Sequence, residues 1–282
     1  MPGLEILSRT LSVAARQDKQ GHPWQYNSRS DHHSKVACWC IVFDLLQRSS
    51  LLRQHVTAGL VYFGINHEMR DYTNNRKKDL DLVLSTVTPG TIVHGGEALA
   101  DLVKRYDIQL TSDEKQRLST LPALTMAPVG SVLMALEAKA CMTEHSKARP
   151  RLFDELNSSH ATVHGATDQA IAAGFVMINA ANDFLSPGRN GRIAIDGPVW
   201  NRHRQPSATI TAIEKVRELP RRSRVGTAGY DALAIAVVSC RNDGSPVPLV
   251  TDPPAPQPGD IDHYESLIER LTHIYATRFS HL

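Results

Sequence analysis

Three residues in this chain have side chains suited to holding a divalent metal and opening a phosphodiester bond: Asp81, Glu137 and Lys139. Asp81 lies in Lys78-Asp79-Leu80-Asp81-Leu82-Val83-Leu84, and the other two lie in Leu136-Glu137-Ala138-Lys139-Ala140. Magnesium is a hard ion that prefers oxygen ligands and keeps several of its waters. Two carboxylates from neighbouring strands, with the Ala138 carbonyl, could hold it and leave room for a phosphate oxygen and a water. A metal so placed polarises the phosphorus centre and acidifies the water. A lysine two residues from Glu137 on the same strand face can orient or deprotonate that water and offset phosphate charge. The ordinary alternative is a set of surface charges on an edge strand, since Asp followed somewhere by Glu-x-Lys is common. Against it, these charges sit inside strongly apolar stretches, where desolvation is costly unless they are paired or bind a metal.

Strand side chains alternate, so Leu80, Leu82 and Leu84 are expected on one face and Asp79, Asp81 and Val83 on the other. Asp79 is therefore a rival ligand. Asp81 is preferred because the uninterrupted run Leu82-Val83-Leu84 follows it, whereas Asp79 lies nearer the strand end. Residues 131–140 have a helix-prone composition. They are nevertheless expected to form a strand. Pro128 and Gly130 turn into an extended run, and only a strand puts Glu137 and Lys139 on one face; on a helix, residues two apart diverge.

Around these two strands the pattern predicts a helix over 4–17, a loop over 21–30 and a long helix over 34–56 with a possible break at Ser49-Ser50. A strand over 60–65 and a turn-rich stretch over 71–75 follow. Residues 91–128 read as a helical insertion, with helices over 96–106 and from Ser112, a candidate N-cap, to about 118. Then come a helix over 151–165, a strand over 174–179, a loop over 187–192 and a helix over 208–219 stopped by Pro220. A buried strand over 233–240, a proline-rich loop over 247–260 and an amphipathic helix over 261–279 complete the chain. The expected architecture is a single α/β domain over 1–282: a central mixed β-sheet flanked by helices, with its core over about 34–180 plus the 233–240 strand.

The order helix, strand, strand bearing Asp81, strand bearing Glu137-Ala138-Lys139, helix, strand resembles the PD-(D/E)XK nuclease superfamily, which includes many type II restriction endonucleases. The resemblance spans roughly residues 34–180. Leu80 stands where the family pattern often has a proline, and the insertion separates the two motif strands. The resemblance implies a restriction-endonuclease-like fold and Mg2+ as cofactor, with Mn2+ as a substitute. It implies Asp81 and Glu137 as metal ligands and Lys139 as the third catalytic residue. By the same resemblance the chain would cut double-stranded DNA at a short sequence, as a homodimer with one site per strand. Residues 190–282 are the candidate DNA-contacting region, with Arg202, Arg204, Arg221 and Arg222 as phosphate contacts that would make binding salt-dependent. Two other readings stay open. One is a nuclease of the same fold in DNA repair, recombination or phage defence without strict sequence choice. The other is a non-catalytic DNA-binding protein on that fold.

Composition bounds these readings. At 282 residues and 41% hydrophobic, the chain can bury a sizeable core. No apolar run reaches the roughly 18 residues of a membrane helix, and residues 1–20 lack a signal peptide's apolar core. A cytoplasmic protein without membrane contact is expected. Cys38, Cys40, Cys141 and Cys240 lack zinc-site spacing and read as buried free thiols. The net charge of +2 permits nucleic-acid binding without demanding it, through local basic clusters such as Lys147, Arg149 and Arg151. His160 and His164 lack the acid of a His-Glu-x-x-His motif and read as structural. Asp31-His32-His33 reads as a helix start or DNA-facing segment, Glu68 as an outer carboxylate, and Glu144-His145 as a pair that could reach the site. Gly188-Arg189-Asn190-Gly191-Arg192 resembles no phosphate loop opening a helix.

Overall fold

The computed structural model describes residues 1–72, 74–93 and 95–282. Thr73 of the turn-rich stretch and His94 of the insertion lie outside the described residues. In chain order the first elements are α1 (Gly3–Leu11), β1 (Arg16–Gln17), β2 (Pro23–Trp24), α2 (His32–Arg48), α3 (Ser50–Thr57), β3 (Tyr62–Asp71) and β4 (Arg76–Ser85). The insertion carries α4 (Asp101–Arg105) and α5 (Ser112–Thr120). Then follow β5 (Val132–Cys141), α6 (His145–Ala166), β6 (Ile171–Asn179), β7 (Asp183–Leu185), α7 (Ile193–Asp196) and β8 (Trp200–Arg202). The last elements are α8 (Ser207–Arg217), β9 (Ala232–Val238) and α9 (Tyr264–Arg278).

The central sheet has five strands in the order β3-β4-β5-β6-β9. β3, β4 and β5 pair antiparallel, while β6 runs parallel to both β5 and β9, so the sheet is mixed. Every residue of β6 and β9 is buried. That follows from near-continuous apolar runs covered by helices on both faces. One face carries Leu82, Leu136, Phe175 and Ala234 against Ile41 and Phe43 of α2 and Leu267 of α9. The other carries Val83, Ala135, Val176 and Ile235 against Leu156 of α6 and Ile213 of α8. Among the described residues, no helix is long and apolar enough to cross a membrane. The four cysteines are free and buried.

The strand expected over 131–140 forms, and several other local expectations change. Residues 132–141 form a strand despite their helix-prone composition, because β4 and β6 pair with β5 on its two sides and burial outweighs intrinsic preference. The possible break at Ser49-Ser50 is real and divides the helix over 34–56 into two. Ser49 is extended, and its hydroxyl accepts from the Leu52 N–H at 3.2 Å to cap α3. The first helix ends at Leu11 rather than 17, and Arg16–Gln17 pair with Pro23–Trp24 instead. In the insertion, α4 is only five residues long. The cap of α5 is Thr111, not Ser112: Thr111 and Glu114 form a reciprocal capping box. α6 starts at His145, before Pro150, and not after it.

The insertion folds onto α2. Trp39 donates its indole N–H to the Leu99 carbonyl at 2.8 Å, and the His32 ring bonds the Tyr106 carbonyl at 2.7 Å. These contacts fix the N-terminal half of α2, which faces the sheet where β4 and β5 separate.

Candidate active site

The β4–β5 ladder pairs Leu84 with Met134, Val83 with Ala135 and Leu82 with Leu136, and there it stops. The next facing positions are Asp81 and Glu137. On the other side of β4, the ladder with β3 skips Asn66, opposite Asp81, which is held at a left-handed φ of 51°. The alternation of β4 breaks at this point. Leu82 packs on the α2 face as expected, but Leu80 packs on the α6 face. Asp81 is thereby turned into the gap between the parting strands. One carboxylate oxygen accepts the Ala138 N–H at 2.9 Å. The other accepts the Ser34 hydroxyl at 2.9 Å and the Lys35 ammonium at 2.6 Å.

Glu137 lies on the α6 side. Its Oε1 is 2.8 Å from Lys139 Nζ and 3.6 Å from Lys78 Nζ. Both lysines also approach α6: Lys78 donates to the Glu155 carbonyl at 2.6 Å, and Lys139 is 3.8 Å from the Glu155 carboxylate. The second Glu137 oxygen is buried and has no hydrogen-bond partner among the described residues. Gly174 of β6 stands beside Glu137 in register.

These surroundings set the charges. Burial raises the Glu137 carboxyl above its ordinary range and Asp81 adds to the rise, against the pull of Lys139 and Lys78. Burial acts the same way on Asp81, but Lys35 and the Ala138 N–H outweigh it and hold Asp81 low. For Lys139, burial is outweighed by Glu137, so its ammonium is held above the usual range. Lys78 goes the other way, because burial dominates there.

Asp81, Ala138 and Lys139 form the floor of a cleft of about 540 Å³. Its walls are the 26–34 segment and the first turns of α6, with Arg29, Lys147 and Arg151 as basic groups and Asp31, Glu144 and Glu155 as acidic ones. Glu137 sits behind Lys139 and does not line the cleft. His33 does line it, its ring tilted at 46° to that of Tyr26 with centroids 4.5 Å apart, and burial pushes its imidazole down to about 4 despite nearby Asp81. It is neutral at pH 7.

Lys139 meets Glu137 at 2.8 Å and shares the cleft floor with Asp81, while Glu137 lies behind it; among the described residues no three His, Cys, Asp or Glu side chains cluster as a metal site. Asp79 is exposed opposite Glu68 and is not in the site. Glu68 pairs with Lys77 at 2.8 Å, also away from the site. Glu144 lies at the cleft wall, but His145 is turned to the Asn179 carbonyl at 2.9 Å. Of Asp31-His32-His33, the first and last line the cleft while His32 faces the insertion. His160 and His164 are structural, bonded to Asn157 and to Gly229 and Arg222.

Two of the four arginines expected to contact DNA need correction. The Arg222 side chain is 0% exposed, bonded to the Asp168 carbonyl and 3.4 Å from Asp231, so no phosphate can reach it. Arg221 is half-buried and donates to the Leu233 carbonyl at 2.8 Å. Arg202 and Arg204 are exposed. The residue between them, His203, contacts Thr143 of the cleft wall at 3.2 Å.

Sequence reading missed Ser34, Lys35 and Lys78. The available signal was a lysine at the fourth position of a helix whose next eight residues are apolar, since a lysine drawn into such a run requires a partner. No protein family, curated protein or solved structure matches the chain.

Proposed function

We propose that this chain is a magnesium-dependent endonuclease that hydrolyses phosphodiester bonds of double-stranded DNA. One observation carries the reading. Asp81 and Glu137 occupy facing positions where β4 and β5 part, with Lys139 on Glu137 and a buried Glu137 oxygen that has no partner among the described residues. Buried carboxylate oxygens are almost always satisfied, so an orphan one fits a ligand. The donor set is all oxygen, which fits magnesium. The order α2-β3-β4-β5-α6-β6 is the one on which the restriction-endonuclease-like resemblance rests, and it supports that fold.

When bound by Asp81 and Glu137, magnesium supplies Lewis-acid stabilisation of phosphate charge and acidifies a water. The chain's own groups do the rest. Lys139, at the cleft floor, orients the water and meets the charge on the scissile phosphate. The Ala138 N–H and Ser34 hydroxyl hold the Asp81 carboxylate in place. Arg29, Lys147 and Arg151 at the cleft walls, and Arg202 and Arg204 beyond Thr143, are placed to track the phosphate backbone. By the resemblance to type II restriction endonucleases, we infer a short recognition sequence and a homodimer with one site per strand.

A non-catalytic DNA-binding protein is the second reading, because Lys35 already neutralises Asp81 without a metal. One experiment separates them: purified protein incubated with plasmid DNA and Mg2+ or Mn2+, beside Glu137→Ala and Lys139→Ala. Cutting by the wild type alone is expected, with discrete fragments if the protein is a restriction enzyme and smears if it lacks sequence choice. DNA binding without cutting, or undiminished cutting by both variants, sinks the proposed site.

A further inference from the structure

Lys35 is the least expected group in the site. Its side chain is 3% exposed, and its ammonium lies 2.6 Å from one oxygen of Asp81, the carboxylate that the metal-dependent reading assigns to a cation; the Ser34 hydroxyl donates to the same oxygen. The second Asp81 oxygen is committed to the Ala138 N–H. That oxygen keeps one lone pair, but a cation on either oxygen comes up against the ammonium that already neutralises Asp81. Lys35 has somewhere to go. Asp31, one helical turn earlier on α2, stands 3.9 Å from the same ammonium, is largely exposed and lines the cleft. Residues four apart on a helix are neighbours, so a small rotation of a flexible lysine stem exchanges one carboxylate for the other. A lysine suits this task better than an arginine, because its compact ammonium has no fixed fork to hold it in one geometry.

We propose that Lys35 is a resident counter-cation of the site, which a divalent metal displaces from Asp81 towards Asp31. The inference rests on the metal-dependent reading above. It adds that the metal-free site is held closed by the chain's own charge. Lys35 keeps the Asp81 carboxylate ordered, and it sets the metal concentration at which the site loads.

The test is direct Mn2+ binding to the full chain, followed by the electron paramagnetic resonance of free Mn2+, for wild type, Lys35→Met, Asp31→Asn and the double variant. Lys35→Met is expected to bind Mn2+ at least ten-fold more tightly. Asp31→Asn is expected to bind several-fold more weakly, and to have no effect in the Lys35→Met background, because Asp31 acts only through Lys35. In parallel, acylation of wild-type lysines is mapped by mass spectrometry. Lys35 is expected to be unreactive without metal and reactive when Mn2+ saturates the protein. That arm keeps the proposal falsifiable should Lys35→Met fail to fold. Unchanged or weaker Mn2+ binding by folded Lys35→Met overturns the proposal, as does a Lys35 that stays unreactive at saturation. If wild type binds Mn2+ under either of those outcomes, the nuclease reading survives. If neither wild type nor Lys35→Met binds Mn2+, both fall.

Discussion

Asp231 and Glu137 are both buried carboxylates on the central sheet, and the molecule treats them in opposite ways. Asp231, just before β9, is met by arginines: Arg278 and Arg222 at its Oδ1, and Arg270 at its backbone carbonyl. Its Oδ2 accepts the Ala172 N–H at 2.9 Å, so no oxygen is left over. Glu137 is met by lysines, both on one oxygen, and its other oxygen is bare among the described residues. The Asp231 cluster ties α9 and the 220–222 turn to the sheet through planar, pre-organised partners. The Glu137 cluster uses point charges on flexible stems and keeps a lone pair in reserve. The contrast is one of carboxylates: Arg222 Nε, beside Asp231, also lacks a hydrogen-bond partner among the described residues, but both Asp231 oxygens are met and one Glu137 oxygen is not.

The comparison breaks most visibly at Glu137. Glu137→Gln should lower magnesium-dependent cleavage by on the order of 10³-fold, the scale of a lost transition-state contact. Its melting temperature should hold or rise, since the change removes a buried ion that burial and Asp81 already disfavour. A collapse in melting temperature would place Glu137 with the scaffold instead.

Asp231→Ala should do the reverse. It strands Arg222, which is fully buried, without its counter-charge. Urea unfolding should show a loss of about 3–5 kcal/mol. Mn2+ affinity per folded molecule should stay at the wild-type value.

Acid sharpens the scaffold side. Burial pushes the imidazoles of His145 and His160 down to about 4 from an ordinary 6.5. Between those values the unfolded chain binds more protons than the folded one, so stability is full above pH 6.5 and is lost as pH falls towards 4. His160→Phe should flatten that slope by about 3 kcal/mol across the window, read from urea midpoints at several pH values. An unchanged slope would remove His160 from the account.

The smallest effect is on the surface. Arg202→Ala and Arg204→Ala should each weaken DNA binding a few-fold and lower the magnitude of the salt slope by about 1. Arg222→Ala should instead act on stability. A wild-type salt slope in both exposed variants would remove the 200–204 segment from the DNA interface.

Much of this was legible in the sequence, and the limits are instructive. The strand over 132–141 was recoverable from the turn at Pro128 and Gly130 and from purpose: Glu137 and Lys139 share a face in a strand and not in a helix, while residue preference pointed the other way. Asp81 was separable from Asp79 by the apolar run that follows it. The direction in which Asp81 turns was not, because it depends on the local break in β4 opposite Asn66, a feature of backbone geometry. Lys35 was hidden because helix patterning says which residues are buried, not which carboxylate 46 residues away will meet them. Arg222 misled for the converse reason. A run of basic residues reads as a charged surface until Asp231, Arg270 and Arg278 are seen to close over it.

The parting of β4 and β5 also has a consequence for the chain's life before it is folded. Asp81 is held by Ser34, 47 residues upstream, and by the Ala138 N–H, 57 residues downstream. No short fragment contains the site, since its contacts are of high contact order and form only when the sheet closes. At a synthesis rate of roughly 5–20 residues per second, Asp81 waits roughly 3–11 s for its last backbone partner to be made. Through that interval, and in any chain stopped before residue 138, the cutting capacity we propose does not exist. The contacts that hold Asp81 are thus absent from the nascent chain, by connectivity alone.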